Sequence, residues 1–182
     1  EGPPPSSANG NVESYNGTNW TETTDLNTAR MTAVASGTVN TAVVVFGGFQ
    51  GPPNAGRNET ELWDGSSWTE VNNLNTARLR MGSAGTSTAA LGFGGQGPVA
   101  PSPSGTTRTE QWNGTNWTEV NDMNTARNKG GGAGTYTASL GFGGNTAPTQ
   151  VANTEQWNGT SWAEQNDLNT ATRQQAGSGT TT

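Results

Sequence analysis

Tyr15-Asn16-Gly17-Thr18-Asn19-Trp20, Trp63-Asp64-Gly65-Ser66-Ser67-Trp68, Trp112-Asn113-Gly114-Thr115-Asn116-Trp117 and Trp157-Asn158-Gly159-Thr160-Ser161-Trp162 are four writings of one stretch. An aromatic residue, a glycine turn and a tryptophan keep fixed offsets, and the second aromatics stand 48, 49 and 45 residues apart. Self-similarity at that period marks a repeat array whose unit is longer than one hairpin. In the third copy Thr109-Glu110-Gln111-Trp112 and Trp117-Thr118-Glu119-Val120 flank Asn113-Gly114. That dipeptide is the strongest short-range hairpin signal, because both residues tolerate the positive φ of a type I′ turn. A four-residue loop would set Trp112 opposite Trp117, whereas a two-residue loop would set it diagonal, with Trp117 facing Glu110. Either register brings both indoles to one side of the sheet, and that side must be covered to avoid a large apolar patch.

Outward from the hairpin, each copy continues into a short connector. These are Asp25-Leu26-Asn27-Thr28-Ala29-Arg30, Asn73-Leu74-Asn75-Thr76-Ala77-Arg78, Asp122-Met123-Asn124-Thr125-Ala126-Arg127 and Asp167-Leu168-Asn169-Thr170-Ala171-Thr172, the last with its arginine one residue late at Arg173. A single Leu or Met inside a polar link suits a chain pinned where it crosses between two sheets. A Gly-rich segment follows, then an apolar run ending in two glycines: 42–46 before Gly47-Gly48, 89–93 before Gly94-Gly95, and 137–142 before Gly143-Gly144. Val44 and Phe46, Leu91 and Phe93, and Leu140 and Phe142 alternate onto one face, with small residues opposite. Loops at 49–58, 96–108 and 145–153 vary between copies, and residues 1–10 read as a loop of the same kind. The expected division is a part unit at 1–29 with the outer two strands, whole units at 30–77, 78–126 and 127–171, and the first strand of a further unit at 172–182.

Composition agrees with short strands joined by turns. Of 182 residues, 12% are charged and 29% hydrophobic, and there are 27 glycines. A helical or single-core α/β chain would use more Leu, Ala, Glu and Lys. Disorder is set aside outside the loops, because seven tryptophans stand in register. The net charge is −6, with one lysine, Lys129, and seven scattered arginines. No basic face displaces counterions from phosphates, so no nucleic acid partner is expected. No apolar run approaches the length of a membrane-crossing helix, and no membrane insertion is expected. Cysteine and histidine are both absent. The usual structural zinc sites, a thiol nucleophile, a Ser/His/Asp relay and the common haem and copper sites are thereby excluded, and no cofactor is expected. The chain starts at Glu1 with no visible signal peptide, which reads as a processed product or an internal piece.

An apolar run, a double glycine, a variable loop, an aromatic and then Trp, and a Leu-containing link to Arg together resemble the kelch repeat. The resemblance covers nearly the whole chain, in three full copies and two part copies. It departs from the family in a shorter turn between the aromatics and in Trp where Tyr is usual, except at Tyr15. What it implies is an all-β fold, a kelch-type β-propeller of four-stranded antiparallel blades, here an incomplete ring because such propellers usually close with six or seven. The order from Gly/Ala-rich to Val/Leu/Phe to Trp/Trp fits a blade that is crowded at the axis and open at the rim. The Asn/Thr/Gly-rich wording is similar to phage virion and tail-fibre proteins and to bacterial surface proteins.

The resemblance does not carry enzymatic chemistry onto these residues. The galactose-oxidase branch uses histidines, tyrosines and a cross-linked cysteine, and only Tyr15 and Tyr136 are present here. Sialidase-type propellers cluster their arginines, while Arg30, Arg78 and Arg127 recur once per unit and read as structural, bonded to nearby carbonyls or to a Glu of the adjacent blade. Glu22, Glu70, Glu119 and Glu164 could be paired carboxylates for acid/base work, but their recurrence favours solvated or cross-strand roles. Asp25, Asp122 and Asp167 could gather calcium, yet Asn73 breaks the set, and no metal is expected. Trp20, Trp63, Trp68, Trp112, Trp117, Trp157 and Trp162 could stack on sugars, but fixed spacing favours packing between blades, where each burial contributes roughly 2 to 3 kcal/mol.

Asn16, Asn19, Asn58, Asn113, Asn116 and Asn158 head glycosylation sequons, with Asn16, Asn58, Asn113 and Asn158 the leading candidates. The candidate recognition residues lie in the variable loops: Phe49, Gln50, Asn54, Arg57, Gln96, Asn145 and Gln150. The expected function is a non-enzymatic structural or adhesive module of an extracellular assembly or virion surface, its partners other protein subunits. A glycan-binding lectin and an enzyme completed by residues elsewhere are the alternatives.

Overall fold

The computed structural model describes residues 8–51, 56–97 and 105–179. Strands β1 (Glu13–Tyr15) and β2 (Trp20–Glu22) form a two-stranded hairpin. Three four-stranded sheets follow, in spatial order β3 (Val34–Val39), β4 (Ala42–Phe46), β5 (Thr60–Trp63), β6 (Trp68–Val71), then β7 (Gly82–Gly85), β8 (Ala90–Phe93), β9 (Thr109–Trp112), β10 (Trp117–Val120), then β11 (Gly131–Gly134), β12 (Ser139–Phe142), β13 (Thr154–Trp157), β14 (Trp162–Gln165). Every pairing is antiparallel. There is no helix among the described residues, and the sheets do not close a ring. The architecture is all-β, its sheets compatible with propeller blades.

The hairpin register is the direct one: Trp63 opposes Trp68, Trp112 opposes Trp117 and Trp157 opposes Trp162, across four-residue loops. This corrects the type I′ reading of Asn-Gly. Only the glycines take positive φ, between 90° and 99° at Gly17, Gly65, Gly114 and Gly159. The preceding residue acts through its side chain: Asn113 Oδ1 accepts the N–H groups of Thr115 at 2.9 Å and Asn116 at 2.8 Å. An acceptor oxygen is all the turn needs, so Asp64 serves equally well, taking the N–H groups of Ser66 at 2.8 Å and Ser67 at 2.9 Å.

Those backbone donors hold the Asp64 carboxyl down at about 2, below its ordinary 3.8. A depressed carboxylate stabilises the fold above its ordinary value, and that contribution fades as pH falls through about 2. Asp64→Asn is expected to keep the turn at neutral pH and to remove its share of the acid limb, read by following unfolding from pH 4 downward in both proteins. An unchanged acid limb in the variant would contradict this.

Strands β3, β7 and β11 lie side by side, with Cα atoms within 8 Å. That closeness explains why poor strand formers occupy them: a Cβ on Gly132 would sit 2.4 Å from the Ser83 carbonyl oxygen. Away from this edge the sheets diverge and bulky side chains fill the gap. Phe46 meets Trp117 of the next sheet with ring centroids 4.6 Å apart, and Phe93 meets Trp162 at 4.9 Å. The apolar cores therefore lie between sheets, one around Val44, Phe46, Leu74, Trp112 and Trp117, the other around Leu91, Phe93, Met123, Trp157 and Trp162. Leu74 and Met123 are the connector residues predicted to pin the crossings, and both are buried.

One face of each apolar strand has to be small because the previous sheet's phenylalanine lies on it. A Cβ on Gly92 would fall 2.7 Å from Phe46 Cε2, and one on Gly141 would fall 2.8 Å from Phe93 Cε2. The equivalent residue in the first sheet is Val45, which turns toward the β1–β2 hairpin, where no such phenylalanine exists. Gly92→Val is thus expected to destabilise by about 1–3 kcal/mol in urea unfolding, since the Phe46 ring must move. A neutral result would show the junction to be loosely packed.

The outermost described elements differ from the inner ones. Trp20, grouped with the buried tryptophans, is 66% exposed, and its partner Tyr15 is 46% exposed, since among the described residues no sheet covers that face of the hairpin. Leu140 and Phe142 are half-buried where Val44, Phe46, Leu91 and Phe93 are buried, since among the described residues no sheet covers that face of β12. Residues 172–179 run beside β11, with Gly134 N–H donating to the Gly179 carbonyl at 3.0 Å, but they form no strand.

Candidate functional site

Two sets of chemically capable residues recur, and the structure separates them. In the first set each connector arginine reaches a glutamate of the sheet it leads into. Arg30 pairs with Glu61, Arg78 with Glu110 at 2.9 Å, and Arg127 with Glu155 at 2.5 Å. These glutamates sit two residues before the first hairpin tryptophan, in Thr-Glu-Leu-Trp or Thr-Glu-Gln-Trp. Sequence reasoning passed over them for Glu22, Glu70, Glu119 and Glu164, and since both sets stand two residues from a hairpin Trp, spacing alone does not separate them.

Each carboxylate is a shared socket. Glu110 accepts the backbone N–H groups of Asn75 at 2.7 Å and Thr76 at 3.4 Å and the Asn75 amide at 2.9 Å. Glu155 repeats this with Asn124 at 2.7 Å and Thr125 at 3.2 Å. Arg78 spends Nη1 on the carbonyls of Gly94 at 2.8 Å and Arg108 at 2.9 Å. Burial lowers its pKa, and the Glu110 charge works against that shift. Shut from solvent, with only Arg78 Nε of this pair left without a partner, the socket ties the connector to the sheet it enters.

The remaining recurring acids sit outside. Glu119 pairs with Arg108, both about half exposed, Glu164 accepts the Thr125 hydroxyl at 3.2 Å, and Glu22 accepts the Asn11 amide at 3.4 Å. Asp122 accepts the Thr109 N–H at 3.2 Å and Asn73 accepts that of Thr60 at 3.3 Å, so Asp and Asn do the same work at the start of the third strand. Among the described residues no group of three or more Asp, Glu, His or Cys is placed to hold a metal ion.

The second set gathers at one end of the glycine-rich strands. Thr32, Arg80, Lys129 and Gln174 occupy equivalent places just after the connectors, each with positive φ, between 52° and 61°. Their backbones are linked in series: Arg80 N–H donates to the Thr32 carbonyl at 3.3 Å, Lys129 to Arg80 at 2.8 Å, and Gln174 to Lys129 at 2.7 Å. Left-handed backbone at a residue with a Cβ is costly, and here successive sheets hold it in place. Arg80, Lys129 and Arg173 form no ion pair among the described residues, whereas Arg30, Arg57, Arg78, Arg108 and Arg127 all do. Burial, then the Arg80 and Arg173 charges, lowers the Lys129 pKa. In a chain of net charge −6, the unpaired cations thus meet at one mouth. Behind it a cleft of about 520 Å³ runs along the inner strands, lined by small and hydroxyl residues such as Ser36, Ser83, Ala133 and Ser178.

The structure divides the candidate recognition residues. Phe49, Gln96 and Asn145 are equivalent and buried, bridged to Met31, Leu79 and Asn128 respectively. They support the mouth: Arg80 lies 6.0 Å above the Phe49 ring centroid and donates to Gln96 Oε1 at 2.9 Å. Arg57 is half-buried and pairs with Glu59 at 2.8 Å, while Gln50 and Gln150 are exposed. Asn54 lies outside the described residues. Of the sequon residues, Asn16, Asn113 and Asn158 are exposed with their side-chain oxygens committed to the turn. Asn58 is half-buried, its amide donating to the Leu74 carbonyl at 3.2 Å. No family model matches this chain, and no curated protein matches it.

Proposed function

We propose that this chain is a kelch-type propeller module without catalytic activity, a structural or adhesive part of an extracellular assembly such as a phage fibre or a bacterial surface filament. The observation that carries this reading is the use of the recurring polar residues: Arg, Glu, Asn and Thr of each unit are consumed in the sockets that join one sheet to the next. What remains unconsumed is local and variable, namely the loops after the double glycines and the cationic mouth beside them. Partner contact is assigned to that end, to other protein subunits first, and to glycans as the alternative.

The alternative draws on the exposed Gln150 and the unpaired Arg80, Lys129 and Arg173, which would suit an acidic sugar. A labelled chain applied to a glycan array and to bacterial cells separates the readings. Cell binding with no sugar bound supports the protein-contact reading, sugar binding supports the lectin, and binding to neither counts against both. Replacing 146–150 with a Gly/Ser linker, which keeps the buried Asn145, is expected to abolish partner binding while leaving the unfolding midpoint nearly unchanged.

A further inference from the structure

We propose that the cationic mouth is a receptor for the carboxylate or sulfate group of an acidic sugar, Arg80 and Lys129 taking the charge and Thr32 and Gln174 the hydroxyls beside it. This rests on the glycan reading of that end and names the class of sugar.

The first observation is a backbone cost that the chain does not avoid. Among the described residues fourteen glycines take positive φ, at every hairpin turn and double glycine, yet the four equivalent positions Thr32, Arg80, Lys129 and Gln174 all keep a side chain. Glycine would adopt that backbone freely, whereas a Cβ strains it, and the β-branched Thr32 strains it most. Two of the four also set long cations in neighbouring positions, Lys129 N–H donating to the Arg80 carbonyl at 2.8 Å. Strain and like-charge repulsion retained at one place point to what these side chains meet there.

Both cations have a neighbour on either side. Arg80 stands between Thr32 and Lys129, and Lys129 between Arg80 and Gln174, so residues within the chain set their surroundings. The Arg80 guanidinium is held in place by the Phe49 ring and by Gln96 Oε1. Neither cation has a carboxylate partner among the described residues, and the internal segments 52–55 and 98–104 contain no Asp or Glu. The Thr32 hydroxyl, the Lys129 ammonium and the Gln174 amide make no hydrogen bond among the described residues. Burial and the charges of Arg80 and Arg173 all disfavour the protonated Lys129, and a bound anion relieves that repulsion.

Along the edge the groups run hydroxyl, guanidinium, ammonium, amide. A Glu or Asp side chain of a protein partner brings a carboxylate alone. A uronate or a sulfated sugar brings its charge flanked by hydroxyls, which the Thr32 and Gln174 ends can bond. The chain's net charge of −6 otherwise repels polyanions, so binding depends on this mouth and weakens as salt rises.

Titration calorimetry of the 182-residue chain tests this with oligogalacturonate against its neutral methyl ester, dextran sulfate against dextran, and polyglutamate. One or both acidic sugars are expected to bind and neither neutral form, and which of the two binds distinguishes carboxylate from sulfate. Lys129→Gln, which copies the residue at the equivalent Gln174, and Arg80→Gln are each expected to weaken binding about tenfold. Lys129→Gly is expected to lose the same affinity yet unfold at a higher urea concentration, because strain and repulsion are both relieved. Binding of the neutral forms alone overturns the proposal and leaves the glycan reading standing, while binding of no sugar overturns both. Polyglutamate bound as tightly as the acidic sugars, undiminished binding by both Gln variants, or a lower unfolding midpoint in Lys129→Gly also overturns it.

Discussion

Glu110→Ala is expected to cost about 3–5 kcal/mol of stability, the range for removing one partner of a buried ion pair. The loss has two sources. Arg78, wholly buried, keeps its charge but loses the carboxylate that most offsets its desolvation, with Nη1 still held by the Gly94 and Arg108 carbonyls. The N–H groups of Asn75 and Thr76 also lose their acceptor, so the connector loosens at the point where it enters the second sheet. Arg78→Met removes only the first of these and replaces the charge with an apolar chain of similar length, so it is expected to cost less. The order Glu110→Ala above Arg78→Met, measured by urea unfolding with tryptophan fluorescence, distinguishes a socket that organises the backbone from a simple ion pair. The reverse order, or equality, would place the energy in the charge pair alone. Glu13→Ala provides the internal comparison. It holds the same register position but is exposed, and the chain's change in stability should stay within about 0.5 kcal/mol.

The sockets also mark the boundary of what could be read from the sequence. Strand number and order, the direct or diagonal pairing of the tryptophans on one face, and the pinning role of Leu74 and Met123 followed from spacing and alternation, which are local properties. The arginines were read as structural because each recurs once per unit, and each of the three lies in a buried ion pair. Their partners were missed because a recurring Glu on β5, β9 or β13 looks no different in sequence from the solvated Glu on β6, β10 or β14. Only the path of the connector across the sheet end tells them apart. The mouth was illegible for the same reason. Arg80 and Lys129 share one repeat position, but Thr32 and Gln174 fill it in the other copies and Arg173 falls one residue earlier, so no cation recurs in the sequence, and the three meet only because three connectors deliver them to one edge. Asn-Gly was a true turn signal with the wrong mechanism attached: the side-chain oxygen and the glycine φ share the work, which is why the second copy could replace Asn with Asp64.

Trp117→Ala is expected to be among the most damaging single substitutions, at about 3–5 kcal/mol, while Trp20→Ala at the equivalent repeat position leaves the monomer's stability within about 0.5 kcal/mol. Residue type, turn and neighbours are shared, so the difference isolates the junction. Trp117 is 6% exposed, lies against Phe46 with centroids 4.6 Å apart, and donates its indole N–H to Thr60 Oγ1 at 3.0 Å. Its removal opens a cavity between two sheets that are already fixed edge to edge at β3 and β7, so the gap cannot collapse, and it leaves the Thr60 hydroxyl buried and unpaired. Trp162→Ala should fall in the same range, through Phe93 and Thr109. Among the described residues Trp20 has a ring contact only to Tyr15 of its own hairpin and no hydroxyl partner, and it is 66% exposed. Urea unfolding of the three variants at a concentration where the chain is monomeric measures the contrast. If Trp20→Ala costs as much as Trp117→Ala, the tryptophans stabilise their own hairpins and the cores do not lie between the sheets.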